Sequence, residues 1–213
     1  MKKIIIYLAF FFIVPNIIYS ANEHFRSIAT GDWNSTSTWE MSTNNGSTWI
    51  PATATPSDTS GPITVRNPDV VTVTADVTAN QLTINTSAVL TINNGILLTI
   101  LPDAGYDLYL LANSTLNGPG KVRTQGTVEL NLRGSSAFNA ALNVNTGTTT
   151  ATDYSSPVIG RLYGSVTIDN GATLSVQNGG YFLEVYGDLI NNGTISGVGS
   201  TFKLKGASFN NSG

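Results

Sequence analysis

The sequence predicts an all-β protein, built as a right-handed parallel β-helix or β-solenoid, and three observations support this. Only 11% of the 213 residues are charged, against about a quarter in an average globular domain. Thr, Ser, Asn and 21 Gly take their place, and these residues disfavour helices and favour strands and turns. Short apolar-polar-apolar triplets recur with the period of a strand that buries one face. Several triplets are near-copies of one another, which is typical of stacked repeats.

The first twenty residues have the features of a secretory signal peptide. Lys2 and Lys3 precede an apolar run at 4–14, and the small residues Ser20 and Ala21 flank the predicted cleavage point. An uncleaved membrane anchor is the alternative, but the run is shorter than the ~20 residues that a spanning helix needs. We therefore predict a secreted or cell-surface protein, mildly acidic and without a membrane span once residues 1–20 are removed.

Residues 21–62 are irregular and contain the three tryptophans of the chain, Trp33, Trp39 and Trp49. A stack of strands has an open edge that invites other chains to pair with it. We predict that this segment caps the first coil, with the indole rings as large apolar plates. The alternative is a platform on which sugar rings stack, and Tyr181 would add a further ring to such a binding surface.

Residues 63–213 form the predicted repeat region. The triplets are Ile63-Thr64-Val65, Val71-Thr72-Val73, Leu82-Thr83-Ile84, Leu90-Thr91-Ile92, Leu98-Thr99-Ile100, Leu108-Tyr109-Leu110, Val128-Glu129-Leu130, Val166-Thr167-Ile168, Leu174-Ser175-Val176, Leu183-Glu184-Val185 and Phe202-Lys203-Leu204. Asn-Gly steps lie in several of the gaps. Three strands per coil give on the order of 25 residues per coil and about six coils. The repeats run to the last residue, so we expect that the chain is the N-terminal piece of a longer protein.

An antiparallel β-sandwich is the alternative fold, because it uses Asn-Gly steps as hairpin turns at similar spacing. In a solenoid the same steps are corners, where a positive φ bends the chain without reversing it. The solenoid is favoured because the triplets that begin at Leu82, Leu90 and Leu98 are near-copies, and sandwich strands seldom copy one another.

The order of the motifs resembles a known group of proteins. Gly31-Asp32-Trp33, Thr38-Trp39 and Trp49-x-Pro51 are followed by the Leu-Thr-Ile series. This order is similar to the N-terminal region of secreted cell-surface β-solenoid proteins of the Bacteroidetes, which combine a signal peptide, a G8-like opening and Gly-rich repeats and are often substrates of type IX secretion. The resemblance covers about residues 28–102, and it implies a solenoid fold at the cell surface.

Several function classes are disfavoured. The chain has one histidine, His24, and no cysteine, so neither a Ser-His-Asp triad nor a zinc site of Cys and His is expected. It has no phosphate-binding or dinucleotide-binding motif, and we expect no cofactor. Ten basic residues against 13 acidic ones leave no surplus of positive charge for nucleic acid.

Carboxylates are the remaining catalytic material. Glycoside hydrolysis needs two of them at a fixed separation, and stacking would align Glu129 with Glu184 if the register allowed it. Asp103 and Asp107 are candidate calcium ligands, but they lack the spacing of a calcium loop and are interpreted as a loop between strands. Most acids are expected on the solvated faces of strands. A solenoid lyase also needs a basic residue to abstract a proton, and the candidates are Lys121, Arg123, Arg133 and Arg161.

These observations favour a non-enzymatic structural or adhesive module. Outward Thr and Asn in successive coils are expected to form hydrogen-bonded ladders about 4.8 Å apart. Such a surface suits weak, multivalent contact with polysaccharide or other cell-surface polymers. The alternative function is the scaffold part of a polysaccharide-degrading enzyme, either a lyase or a glycoside hydrolase.

Overall fold

The computed structural model describes residues 23–152, 159–177, 181–197, 199–206 and 208–212. These residues form 25 β-strands and one 3₁₀ turn at Thr36–Thr38, and they contain no α-helix. The prediction of an all-β protein is confirmed. The predicted signal peptide, with Ser20 and Ala21, lies outside the described residues.

The strands are short, most of them three to five residues long. In chain order they are β1 (His24–Ser27), β2 (Gly31–Asp32), β3 (Trp39–Ser42), β4 (Ile50–Pro51), β5 (Ile63–Val65), β6 (Val70–Val73), β7 (Val77–Ala79), β8 (Leu82–Ile84), β9 (Val89–Ile92), β10 (Leu97–Ile100), β11 (Leu108–Leu110), β12 (Thr115–Asn117), β13 (Lys121–Gln125), β14 (Val128–Leu132), β15 (Ala137–Phe138), β16 (Ala141–Thr146), β17 (Thr148–Thr152), β18 (Ile159–Leu162), β19 (Val166–Ile168), β20 (Thr173–Val176), β21 (Phe182–Val185), β22 (Leu189–Asn191), β23 (Thr194–Gly197), β24 (Thr201–Leu204) and β25 (Phe209–Asn211).

Three sheets run the length of the stack. The first has the order β23-β20-β17-β14-β11-β8-β5-β1-β3-β4, the second β24-β21-β18-β15-β12-β9-β6-β2, and the third β25-β22-β19-β16-β13-β10-β7. From β5 onward, three successive strands make one coil, with one strand in each sheet. All pairs between coils are parallel, and antiparallel pairing occurs among these strands at β1–β3 and β3–β4 alone. The chain is therefore a parallel β-solenoid and not an antiparallel sandwich.

The coils differ in length although their strands stay in register. Ile63 is paired with Leu82 and Leu82 with Leu108, which gives a first coil of 19 residues and a second of 26. The later intervals in the first sheet lie between these values. Because the coils are on average shorter than the predicted 25 residues, the repeat region holds seven sets of three strands, with six steps from coil to coil.

The near-copies at Leu82, Leu90 and Leu98 are the three sides of one coil, since they lie in β8, β9 and β10. In each triplet the Leu and the Ile point inward and are fully buried, while the Thr between them points outward. The corner that follows β9 contains Gly95 at φ 76°, and Gly118 takes φ 107° after β12. The predicted use of Asn-Gly steps as corners is confirmed at these positions, whereas Asn178-Gly179 lies outside the described residues.

A continuous apolar stack fills the space between the three sheets. On the first sheet Ile63, Leu82, Leu108 and Leu130 follow one another in register, and each is fully buried. Burial of a Leu or Ile side chain contributes about 1.5–3 kcal/mol. Each coil is therefore stabilised mainly by the apolar side chains of the coil before it and the coil after it.

The tryptophan-containing segment packs against the first coil. β1 extends the first sheet beside β5, and β2 extends the second sheet beside β6. Trp33 and Trp39 are fully buried, with an edge-to-face contact and ring centroids 5.2 Å apart. The indole N–H of Trp39 donates to the Trp33 carbonyl (2.8 Å), and that of Trp33 donates to the Pro56 carbonyl (3.0 Å). Two of the three strand edges of the first coil are thus paired with residues from this segment.

Candidate functional site

The aromatic residues predicted as a sugar platform are largely enclosed. Trp33, Trp39 and Tyr181 have no exposed surface, so none of them offers a ring face to a ligand. Trp49 is half-buried, and the guanidinium of Arg26 lies 4.0 Å from the centre of its ring. A stacking platform formed by these four residues does not agree with their burial, because their rings already contact the protein.

Two tyrosines that the sequence did not distinguish from the others are exposed instead. Tyr163 and Tyr186 are 43% and 40% exposed, and their rings stack at 4.9 Å with an angle of 22°. They follow β18 and β21, which are neighbours in the second sheet, so the ring pair joins two successive coils. The available sequence signal is the dipeptide Tyr-Gly, which recurs 23 residues later at Tyr186-Gly187.

The carboxylate of Glu184 is the centre of a small polar network on the second sheet. The hydroxyl of Tyr186 donates to Glu184 Oε2 (3.0 Å), and this hydrogen bond raises the pKa of Tyr186. Arg161 lies 3.4 Å from the same oxygen. Glu184 therefore has a structural partner on the coil before it.

Glu129 and Glu184 are not aligned. Glu129 lies in β14 of the first sheet, in register with Thr150, whereas Glu184 lies in β21 of the second sheet, in register with Arg161 and Lys203. The two carboxylates occupy different faces of the solenoid. The sequence could not reveal this, because the assignment of a strand to a sheet depends on the length of every preceding corner.

The acidic pair Asp103 and Asp107 lies beside a cavity of about 410 Å³ that Glu129 also lines. Asp107 is buried, and its two oxygens accept the backbone N–H groups of Asp103 (2.6 Å) and Glu129 (2.7 Å). Burial raises the pKa of Asp107. The described residues hold no group of three or more His, Cys, Asp or Glu side chains that could bind a metal ion. The contacts of Asp107 are those of a side chain that joins two coils.

The outer face of the third sheet carries a groove. Two adjoining cavities of about 280 and 370 Å³ share the lining residues Leu97, Lys121 and Arg123. One cavity extends toward Asp76 and the other toward Asp169. Because the lining residues come from β10, β13, β16 and β19 and from the corners beside them, the groove runs across successive coils, parallel to the axis of the stack.

A row of side chains in register runs along the third sheet, and we call it the polar row; Arg123, Asn143 and Thr167 of this row line the groove. The members of the row are Thr78, Thr99, Arg123, Asn143 and Thr167, one from each of five successive coils. Neighbouring members are separated by the strand spacing of about 4.7–4.9 Å. A parallel row of Leu97, Lys121 and Ala141 lies two residues earlier on the same strands, because alternate residues of a strand face the same side.

The carboxylates at the two ends of the groove are already hydrogen-bonded. Asp76 Oδ1 accepts the backbone N–H of Leu97 (2.9 Å). Asp169 Oδ2 accepts the side-chain amides of Asn143 (3.0 Å) and Asn145 (2.8 Å). These contacts fix the ends of the groove and use one oxygen of each acid.

The two cations at the centre of the groove have fewer partners than these carboxylates. Neither Lys121 nor Arg123 forms an ion pair with another described residue. The Nε atom of Arg123 is buried and makes no hydrogen bond within the described part of the chain. The groove therefore has a positive centre between the carboxylates at its two ends.

The sequence contains a signal for this site, which is a departure from the usual Thr of the triplets. The outward residue of a triplet is usually Thr. In β13, however, the two outward residues on either side of Val122 are Lys121 and Arg123, and both are basic. From the sequence, both residues are candidates for proton abstraction in a lyase. The sequence could not place them in a groove, because the groove depends on which strands of other coils lie beside β13.

In the described ranges there is no helix of the length and hydrophobicity needed to cross a membrane. No family model, no curated protein and no solved structure matches the chain. The fold and the geometry of the groove are thus the basis on which a function is assigned.

Proposed function

We propose that the protein is a secreted or cell-surface β-solenoid module, non-enzymatic, with a structural or adhesive role, and that it contacts polysaccharide along the third sheet. The observation that carries this proposal is the polar row, of which Arg123, Asn143 and Thr167, on three successive coils, line an open groove. A polymer that runs along the axis meets a hydrogen-bonding side chain on each of these coils. Affinity then comes from many weak contacts and not from a single pocket.

The proposed location rests on the sequence of the N-terminus. An apolar run preceded by Lys2 and Lys3 supports export, as does the resemblance to secreted surface proteins of the Bacteroidetes. A chain without cysteine is stabilised outside the cell by burial and backbone pairing alone. Expression with residues 1–20 in a bacterial host, followed by N-terminal sequencing of the exported protein, is expected to give a chain that begins at Ala21.

The polysaccharide contact is tested by blocking the groove. Thr167→Trp places a large ring in the polar row, and Thr83→Trp places the same ring on the outer face of the first sheet, where Thr83 occupies the equivalent middle position of a triplet. Binding to a panel of neutral and acidic polysaccharides is measured by affinity electrophoresis and calorimetry. We expect roughly tenfold weaker binding for Thr167→Trp and unchanged binding for Thr83→Trp. Absence of binding to every polymer, or equal effects of the two substitutions, contradicts the proposal.

A scaffold of a polysaccharide-degrading enzyme is the second candidate, and one observation favours it. Asp103, Asp107 and Glu129 line one cavity, and the pKa of Asp107 is raised, as is expected of one member of a catalytic carboxyl pair. An enzyme releases reducing ends or unsaturated products from a polysaccharide, and Glu129→Gln abolishes that release. The adhesive function predicts binding without products.

A further inference from the structure

We infer that the groove of the third sheet selects anionic polysaccharides, and that Lys121 and Arg123 hold the acidic group of the sugar. This inference rests on the proposed function, because it names the class of polysaccharide that the groove binds. The ligand chemistry is a carboxylate or sulfate carried on a sugar chain.

The first step of the argument is the placement of the two cations. Lys121 and Arg123 alternate along β13, so both point outward on the same face, with Val122 between them buried in the core. Two residues advance roughly 7 Å along a strand. The strand runs across the groove, so the cations lie side by side across its width, at a position that both cavities share.

The second step is a comparison with the other arginines of the described residues. Arg26 and Arg66 contact the carboxylate of Glu40, and Arg161 contacts that of Glu184. The guanidinium of Arg133 donates to the hydroxyl of Tyr109. The two cations of the groove have no such partner on the described chain, and the Nε of Arg123 is both buried and without a hydrogen-bond acceptor.

The Nε atom of Arg123 is covered by protein, but the Lys121 side chain is exposed and that of Arg123 is half-buried, so both can contact an anion in the groove. A planar guanidinium matches the two oxygens of a carboxylate or of a sulfate, and a lysine ammonium beside it adds a second charge-assisted hydrogen bond. The guanidinium of Arg123 and the neighbouring ammonium of Lys121 therefore point to an oxyanion as the ligand.

The third step concerns the acids at the ends of the groove. Asp76 and Asp169 are held by the N–H of Leu97 and by the amides of Asn143 and Asn145, so their charges stay in place when a ligand binds. They repel an anionic group at either end and favour it at the centre, over β13. The polar row on both sides then contacts the hydroxyl groups of the neighbouring sugars.

The experiment uses the whole exported chain and three soluble polymers: polygalacturonate, which carries carboxylates, dextran sulfate, which carries sulfates, and dextran, which is neutral. The variant Lys121→Ala/Arg123→Gln removes both cations. Lys205→Ala is the control for the loss of a positive charge, since Lys205 is exposed, follows β24 of the second sheet and lines neither cavity of the groove. Lys121→Arg keeps the charge.

We expect the double variant to bind an anionic polymer roughly tenfold more weakly, while Lys205→Ala and Lys121→Arg retain the affinity of the original protein. Binding is also expected to weaken at high salt. A preference for polygalacturonate identifies the ligand as a carboxylate, and a preference for dextran sulfate identifies it as a sulfate. Circular dichroism and urea unfolding of each variant show whether the fold is intact.

Two results overturn the inference and leave the proposed function standing: tighter binding to dextran than to both anionic polymers, or an equal loss of affinity in Lys205→Ala. Absence of binding to all three polymers and to the panel used for Thr167→Trp overturns the proposed function together with the inference. The two failures are therefore distinguishable.

Discussion

Ser27 and Asp107 are buried polar side chains that accept hydrogen bonds from the backbone of neighbouring segments. Ser27 donates its hydroxyl to Asp69 Oδ2 (2.5 Å) and accepts the backbone N–H of Arg66 (2.8 Å). Asp107 joins the N–H groups of Asp103 and Glu129 in the same way. Because a buried polar group without a partner is costly, these side chains contribute to the specificity of the stack as well as to its stability.

Asp107 predicts an unusual dependence of stability on pH. Burial raises its pKa above the ordinary value of 3.8, so the ionised form is less favourable in the folded chain than in the unfolded one. The stability that this group contributes is complete below the unfolded pKa and is lost as the pH rises through the raised value. The side-chain amide that Asp107→Asn introduces does not titrate. The free energy of unfolding of the original protein, minus that of Asp107→Asn, should therefore increase when the pH falls from about 7 to about 4.

Urea unfolding at a series of pH values measures this difference. The control is Asp58→Asn, which replaces an exposed acid. The free energy of unfolding of the original protein, minus that of Asp58→Asn, should not increase over the same fall in pH. If the difference for Asp107→Asn decreases as the pH falls, the pKa of Asp107 is lowered in the folded state and the assignment of burial as its dominant influence is wrong.

Trp33 and Trp49 are expected to differ in their contribution to stability. Trp33 is fully buried and donates to the Pro56 carbonyl, so Trp33→Ala should cost about 3–5 kcal/mol of unfolding free energy. Trp49 is half-buried beside Arg26, and Trp49→Ala should cost about 0.5–1 kcal/mol. Thermal and urea unfolding measure both values.

The capping role predicted for residues 21–62 adds a second readout to the same pair. If the indole packing keeps the first coil closed, Trp33→Ala associates with increasing protein concentration in light scattering, because strand edges become available. Trp49→Ala should show the same light scattering as the original protein. A Trp33→Ala protein that is less stable but does not associate would contradict the capping role and leave the packing role intact.

At the scale of the element, the sequence predicted strands well where a triplet is present and poorly where it is not. All eleven triplets lie within strands. β12 and β17 were not predicted, since Thr115–Asn117 has one apolar residue and Thr148–Thr152 consists of Thr and Ala. These segments become strands because strands of the coils before and after them supply hydrogen-bonding partners in register, and that information is not local.

The candidate site could not be located from the sequence for a related reason. The alternation of Lys121 and Arg123 around buried Val122 is visible in the sequence. The groove beside them requires that Asn143 and Thr167 lie in register with Arg123, which depends on coils of unequal length. In contrast, the burial of Trp33 and Trp39 agrees with a packing role that their residue type alone already favoured.

A column of glycines marks the corner between the second and third sheets. A Cβ atom on Gly187 would overlap the carbonyl oxygen of Gly164 in the preceding coil, and one on Gly206 would overlap that of Gly187. Gly171 differs, because its Cβ would meet no atom within 4 Å although its φ is 78°. The column therefore depends on the absence of a side chain, whereas Gly171 depends on backbone conformation.

Two substitutions distinguish these requirements. Gly187→Ala is expected to cost about 3 kcal/mol of unfolding free energy, because backbone must move to accommodate the methyl group. Gly171→Ala is expected to cost about 1 kcal/mol, the penalty of a left-handed conformation for an L-residue. Chemical denaturation measures both, and a cost for Gly171→Ala that equals or exceeds that of Gly187→Ala would show that the close approach between coils is not limiting.

At the scale of the whole molecule, each coil contacts the coils beside it, and stability is expected to vary along the axis. β13 is paired on both sides, with β10 and β16. β25 is paired with β22 alone among the described strands, and its residues are exposed. The two strands belong to the same sheet, so their difference reports position along the stack.

Hydrogen exchange of the 213-residue chain measures this gradient. The amides of β13 should be among the most slowly exchanging, and those of β25 should exchange much faster. Gly187→Ala should accelerate exchange in β22 and β25 more than in β10, since β22 follows the altered corner and β10 is four coils earlier. Uniform exchange in all coils would show that the stack unfolds as one cooperative unit.

The unequal lengths of the coils have a consequence for how such a protein changes during evolution. The second coil holds seven residues more than the first, yet Leu82 keeps both of its partners. The additional length is found in part at 102–105, whose residues are exposed. Insertions at a corner of this kind alter the outline of the surface without disturbing the shared interior, so new recognition loops can arise there by small genetic steps. The same tolerance makes 102–105 a suitable position at which to graft a foreign peptide for display on a rigid support.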